Sequence, residues 1–89
     1  MLTKVTHIEK LDGLRLKVRF NDGSEGAHDF TGLVNQTGPM FEPLQYETYF
    51  GRVFLEFGAP TWPNGFDISP HWLHREMKQA GELTMAAAE

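Results

Sequence analysis

The chain has no cysteine, which rules out a disulfide framework, a thiolate nucleophile and a cysteine-based zinc site, and suits a reducing compartment. Long apolar runs are also missing. Nothing approaches the roughly 18 consecutive apolar residues of a membrane span, and "MLTKVTHIEK" lacks the apolar core of a signal peptide. The chain therefore reads as soluble and cytoplasmic. Positive charge is scarce as well: 8 Lys and Arg stand against 12 Asp and Glu, a formal net charge of −4. Most of the cations crowd into the first 20 residues, where Lys4, Lys10, Arg15, Lys17 and Arg19 face only Glu9 and Asp12. That asymmetry raises the question of a basic face.

Catalytic signatures are absent too. Ser24, Ser69 and the threonines lie outside any nucleophile-elbow context, no glycine-rich loop joins a strand to a helix, and no carboxylate pair has a spacing that suggests acid–base work. The expectation is a protein without catalytic residues, cofactor or metal. His71 and His74 are three apart on a predicted helix with Glu76 nearby, but two ligands are a weak metal signal, since His7 and His28 lie on distant predicted strands.

What is present is strongly patterned. In "LRLKVRF", Leu14, Leu16, Val18 and Phe20 point one way and Arg15, Lys17 and Arg19 the other, the period of a half-buried strand. "NDGS" then turns the chain into a second strand, "EGAHDF". A three-residue loop Asn21-Asp22-Gly23 sets Arg19 opposite Glu25 and Arg15 opposite Asp29, whereas a two-residue loop on Asp22-Gly23 sets those carboxylates beside Phe20 and Leu16. The first is preferred, because it cancels much of the basic row and leaves only Lys17 without an acidic neighbour. "KVTHIEKL" reads as a preceding strand of open register, since Val5 and Ile8 do not share a face.

Downstream, "TGLVNQTGPMFEPL" and "YETYFGR" predict short helical turns pinned by Leu33, Val34, Met40 and Phe41. "RVFLEF" predicts a strand with Val53, Leu55 and Phe57 on one face and Phe54 and Glu56 on the other. Gly58-Ala59-Pro60 then turns it back into Thr61-Trp62. Ser69-Pro70 is a helix start and Gly81 a stop, with Leu73, Met77 and Ala80 on the side that covers the sheet. The predicted class is α+β in two layers: an antiparallel sheet of about five strands in two hairpins, short helical turns between them, and a C-terminal helix packed on top. Residues 1–80 form one domain, and 81–89 a tail expected to fray or to lie on a neighbour.

Three stretches, "LRLKVRFNDGSEGAHDF", "FEPLQYETYF" and "TWPNGFDISPHWL", resemble the bacterial family called domain of unknown function 2442, and "WPNG" followed two residues later by an acid is the most specific part. The resemblance implies a small α+β domain and carries no catalytic residues. It also implies two kinds of partner. Some members join a DNA-binding helix-turn-helix, and stand-alone members are often encoded beside another small protein, in the manner of toxin–antitoxin pairs.

Trp62, Asn64 and Asp67 within that motif admit two readings. An indole face, an amide and a carboxylate could hold a small polar ligand. Alternatively, Trp62 ends a core strand, Pro63-Asn64-Gly65 makes the turn, and Asp67 accepts from the free N–H groups of the helix; the structural reading is preferred. His71, Arg75 and Lys78 form a mildly basic helix stripe. Two tryptophans, two tyrosines and seven phenylalanines exceed what this core can hide. Phe54, Phe66 and Trp72 are accordingly the candidate interface of a non-catalytic interaction module that self-associates or docks on a small protein. A nucleic-acid-associated regulator without its own helix-turn-helix is the alternative, and no membrane is expected to be involved.

Overall fold

The computed structural model describes residues 2–85. Strands β1 (Val5–Lys10), β2 (Arg15–Phe20) and β3 (Ser24–Asp29) follow one another as an antiparallel meander. A helical connection comes next: α1 (Thr31–Val34), a 3₁₀ turn (Glu42–Gln45) and α2 (Glu47–Phe50). The short hairpin β4 (Phe54–Glu56) and β5 (Ala59–Thr61), helix α3 (Pro70–Gln79) and β6 (Thr84–Met85) complete the described chain. The architecture is the predicted α+β one, antiparallel strands with short helical turns and a C-terminal helix, but the strands divide into a four-stranded sheet in the order β1-β2-β3-β6 and a separate two-stranded β4-β5 sheet in place of a single sheet of about five. The second hairpin meets the first sheet through a backbone bond, Val5 N–H to Gly58 O at 2.8 Å, and three-residue strands are too short to build a ladder with it.

The fourth strand comes instead from the predicted tail. Residues 84–85 pair with Glu25 and Ser24 of β3, so the tail expected over 81–89 begins as an edge strand; residues 86–89 lie outside the described residues.

The β2–β3 register is the predicted one. Arg19 stands opposite Glu25 and Arg15 opposite Asp29, and Gly23 closes the three-residue loop at φ 91°, a conformation a side chain would strain. The Asp22 carboxylate accepts from the Ser24 hydroxyl at 2.6 Å and the Ser24 N–H at 2.9 Å. The Ser24 hydroxyl bond, then the N–H, holds that carboxyl below its usual range. A register shift between Val5 and His7 settles β1: Val5 pairs with Phe20 and Ile8 with Val18. One extra residue reverses the parity of an alternating strand, so both apolar side chains turn to the core despite their odd spacing. The same register puts Glu9 opposite Lys17, an acidic neighbour the hairpin alone did not supply.

On the inner face Leu16, Val18 and Phe20 are fully buried beneath Leu73 and Met77 of α3, and Phe30, Val34, Leu44, Phe50 and Trp62 complete the core. Each such side chain stabilises by about 1.5–3 kcal/mol relative to exposure. Helix α3 starts at Ser69, whose Oγ accepts from the Trp72 N–H at 3.2 Å. It stops at Gly81 (φ 73°), where the Gly81 N–H donates to Lys78 O and the Glu82 N–H to Met77 O, the paired bonds of a Schellman motif. Ala80, expected on the covered side, is exposed at the C-cap, because the left-handed turn there bends the chain towards β3.

Candidate functional site

The "WPNG" stretch is a junction held by its own hydrogen bonds. The Trp62 N–H donates to Phe66 O and the Gly65 N–H to Trp62 O, both at 2.9 Å, with Gly65 at φ 91°. Asn64 works at both ends of its amide: Oδ1 accepts from the Phe66 N–H at 3.1 Å and Nδ2 donates to Met40 O at 3.2 Å. Pro63 rides exposed on the turn, where its fixed φ suits the corner. The Trp62 ring is fully buried between Phe50 and Phe66, and its Nε1–H donates to Phe50 O at 2.8 Å. Indole and amide are thus both engaged within the chain.

Asp67 behaves differently from its expected role. Its backbone bridges Thr61, but the residue is exposed, and no hydrogen bond from α3 reaches its carboxylate among the described residues; Ser69 is the side-chain cap. Geometry explains the correction, since a side chain at the N-cap reaches the first-turn amides, whereas one two residues earlier is still in the bridge to β5. Ser69→Ala is expected to cost about 1 kcal/mol and Asp67→Ala less than about 0.5 kcal/mol, a contrast that urea melts of the two variants check.

Of the three candidate interface residues, the fold joins two. Phe66 and Trp72 are half-buried and line a cleft of about 180 Å³ with Leu33, floored by Asp67, Ile68 and Ser69. Phe54 is 43 % exposed on β4, outside that cleft. Beyond Ser69 a second cleft of about 370 Å³ opens between Leu2, Lys4, Phe57 and His71. The two share Ser69, so they flank the start of α3. Phe57, assigned from the sequence to a strand face, is 91 % exposed at φ 52°. It occupies the first position of a two-residue Phe57-Gly58 turn between Glu56 and Ala59. The available signal was the Gly that follows it, since an X-Gly pair between two short apolar runs marks such a hairpin.

Two of the four histidines, His28 and His74, are tied into the fold by carboxylates. His74 Nε2 lies 3.0 Å from Asp22 Oδ2, with its ring edge-on to Phe20; His28 Nδ1 lies 2.7 Å from Glu82 Oε1 and its ring edge-on to Phe30. An ionised carboxylate only accepts, so the imidazole N–H donates in each. Both pairs fasten the α3–β6 segment to the β2–β3 hairpin. Ser24, Asp22 and His74 form a chain with the carboxylate in the middle. A nucleophile pair requires the imidazole to take the hydroxyl proton directly, and here Asp22 stands between them. No group of three or more potential metal ligands converges among the described residues.

The outer face of the sheet carries the predicted basic row, largely neutralised. Arg19 pairs with Glu25 at 3.1 Å, and Arg15 with Asp12 at 2.7 Å in place of the Asp29 opposite it. Asp29 accepts from the Thr31 hydroxyl at 2.6 Å and N–H at 2.9 Å, and those bonds, the hydroxyl first, hold its carboxyl below the usual range. The cleft on this face, about 300 Å³ between His7, Glu9, Lys17 and Arg19, mixes both signs of charge.

A family model described as "Protein of unknown function (DUF2442)" matches residues 5–79, from the first residue of β1 to the last of α3. No curated protein and no solved structure matches the chain.

Proposed function

We infer that this chain, which belongs to the DUF2442 family of proteins of unknown function, is a non-catalytic interaction module that self-associates or docks on a small partner protein, as in toxin–antitoxin pairs. The observation that carries this reading is the aromatic surface around the start of α3, where the Phe66–Trp72 cleft and the Leu2–Phe57 cleft meet at Ser69. Half-exposed aromatics beside a polar rim are the usual make-up of a protein interface. Side-chain docking is favoured over strand pairing, because the free edge of β1 is broken by its bulge and β6 is two residues long, both devices that discourage edge association. The cytosol is the proposed location: cysteine is absent, and no helix of the described residues is long and apolar enough to cross a membrane.

Static light scattering on the wild type and Trp72→Ala, paired with capture from native extract, tests the reading. The wild type is expected to associate or to retain a specific protein, and Trp72→Ala to weaken that binding about tenfold or more. A strict monomer that retains no protein, yet turns over or tightly binds a metabolite, contradicts it.

A further inference from the structure

Most cations of this acidic protein are answered locally. Lys10, Arg15 and Arg19 are in ion pairs, Arg52 lies over the Tyr49 ring at 5.6 Å, and Lys17 stands opposite Glu9. Lys4, Arg75 and Lys78 have no ion-pair partner among the described residues, and they gather in one region. His71, Arg75 and Lys78 recur at i, i+4 and i+7 along α3, all exposed, opposite the buried Leu73 and Met77. Lys4 joins them, lining the same cleft as His71. Of the acids on or beside α3, Glu76 is half-buried one turn after Trp72, Glu82 is taken by His28, Asp22 lies against His74 in the cleft that Lys78 also lines, and Asp67 faces the Phe66–Trp72 cleft. The helix dipole accounts for Lys78 in the last turn but not for Arg75 in the middle of the helix.

Beside this strip the chain holds an aromatic residue under strain. Phe57 adopts a left-handed backbone that costs an L-residue about 1–2 kcal/mol, and it buries almost nothing in return, being 91 % exposed next to Leu2 at 79 %. Asn would satisfy the turn better. A strained, exposed aromatic that the fold does not need is an outlier from which function is reasonably inferred.

We propose that this surface binds an acidic segment of a partner protein, whose carboxylates lie along His71, Arg75 and Lys78 while an apolar side chain seats between Leu2 and Phe57. The proposal rests on the interaction-module reading and specifies its partner. Charge complementarity selects the occupant: Arg75 and Lys78, with Lys4 nearby, are cations without an ion-pair partner among the described residues on a molecule of net charge −4, and a partner of opposite sign is steered to them. A nucleic acid would match the strip but leave the apolar cleft and the strained Phe57 without a role.

Selection of short random displayed peptides on the immobilised full chain, followed by anisotropy titrations of the enriched sequences, tests it. Enriched peptides are expected to combine several Asp or Glu with a Leu, Phe or Trp. Their affinity is expected to fall about tenfold or more in Arg75→Glu/Lys78→Glu and in Phe57→Asn, and to weaken with salt. Phe57→Asn retains or gains folding stability, so its loss of binding cannot be ascribed to unfolding. Peptides without acidic bias, or indifferent to both variants, overturn this surface and leave the module reading standing. No enriched peptide, with generic DNA or RNA bound in a steeply salt-dependent manner, overturns both.

Discussion

Replacing Trp62 with alanine is expected to remove about 3–5 kcal/mol of stability and to leave the domain largely unfolded. The ring is fully buried, tilted against Phe50 and Phe66, and its N–H donates to the Phe50 carbonyl at 2.8 Å. Truncation empties a volume that β5, α2 and the following turn share, and it leaves the Phe50 carbonyl with only the longer Val53 N–H bond at 3.3 Å, a further cost of about 0.5–1.5 kcal/mol. Small domains seldom hold more than the low end of the usual 5–15 kcal/mol, so the sum approaches the whole. Circular dichroism in urea reads the result without relying on tryptophan emission.

A smaller but still large loss is expected from Gly26→Ala, although the change adds a single methyl group. Gly26 lies on β3 opposite Val18, facing the core, and a Cβ there would collide with the Glu82 carbonyl oxygen and stand 2.9 Å from its carbonyl carbon. That carbonyl has little room to retreat. The Glu82 N–H closes the Schellman turn on Met77 O, and its carboxylate is held by His28. Overpacking against backbone costs about 1–3 kcal/mol or more, and the least stable contact yields first. The expected outcome is detachment of β6, visible as faster hydrogen exchange at Glu25, which pairs with Thr84, together with a lowered urea midpoint.

These two residues mark where the sequence could and could not be read. Trp62 was legible because a strand ending in "WPNG" and followed by Ser69-Pro70 allows one local solution, with every turn residue demanded by its backbone position. The β2–β3 register was legible for a similar reason: one loop length pairs opposite charges and the other buries carboxylates. Gly26 was not legible, since its need arises from a carbonyl contributed by the far end of the chain. The β1 bulge escaped because alternation is a local signal and an inserted residue is decided by the neighbouring strand. Phe57 was drawn into a strand by the run Val53, Leu55, Phe57, although a two-residue turn ending in Gly58 takes precedence over alternation. Of the surface around Ser69, sequence patterning points to Phe66 and Trp72 but not to Leu2 and Phe57, whose exposure depends on the turn and on the cleft they share.

Trp62 holds the fold, whereas exposed, left-handed Phe57 contributes little to it, and one urea series on Trp62→Phe and Phe57→Asn tests that division directly. Trp62→Phe keeps an aromatic ring and deletes the N–H, leaving Phe50 O with the Val53 N–H alone, so its midpoint should fall by the equivalent of about 0.5–1.5 kcal/mol. Phe57→Asn relieves a left-handed phenylalanine and should hold or raise the midpoint, by the equivalent of about 0.5–1 kcal/mol. Opposite responses are the predicted result. If Trp62→Phe keeps full stability, or Phe57→Asn loses as much as Trp62→Phe, the division between a structural "WPNG" junction and an exposed docking rim is contradicted.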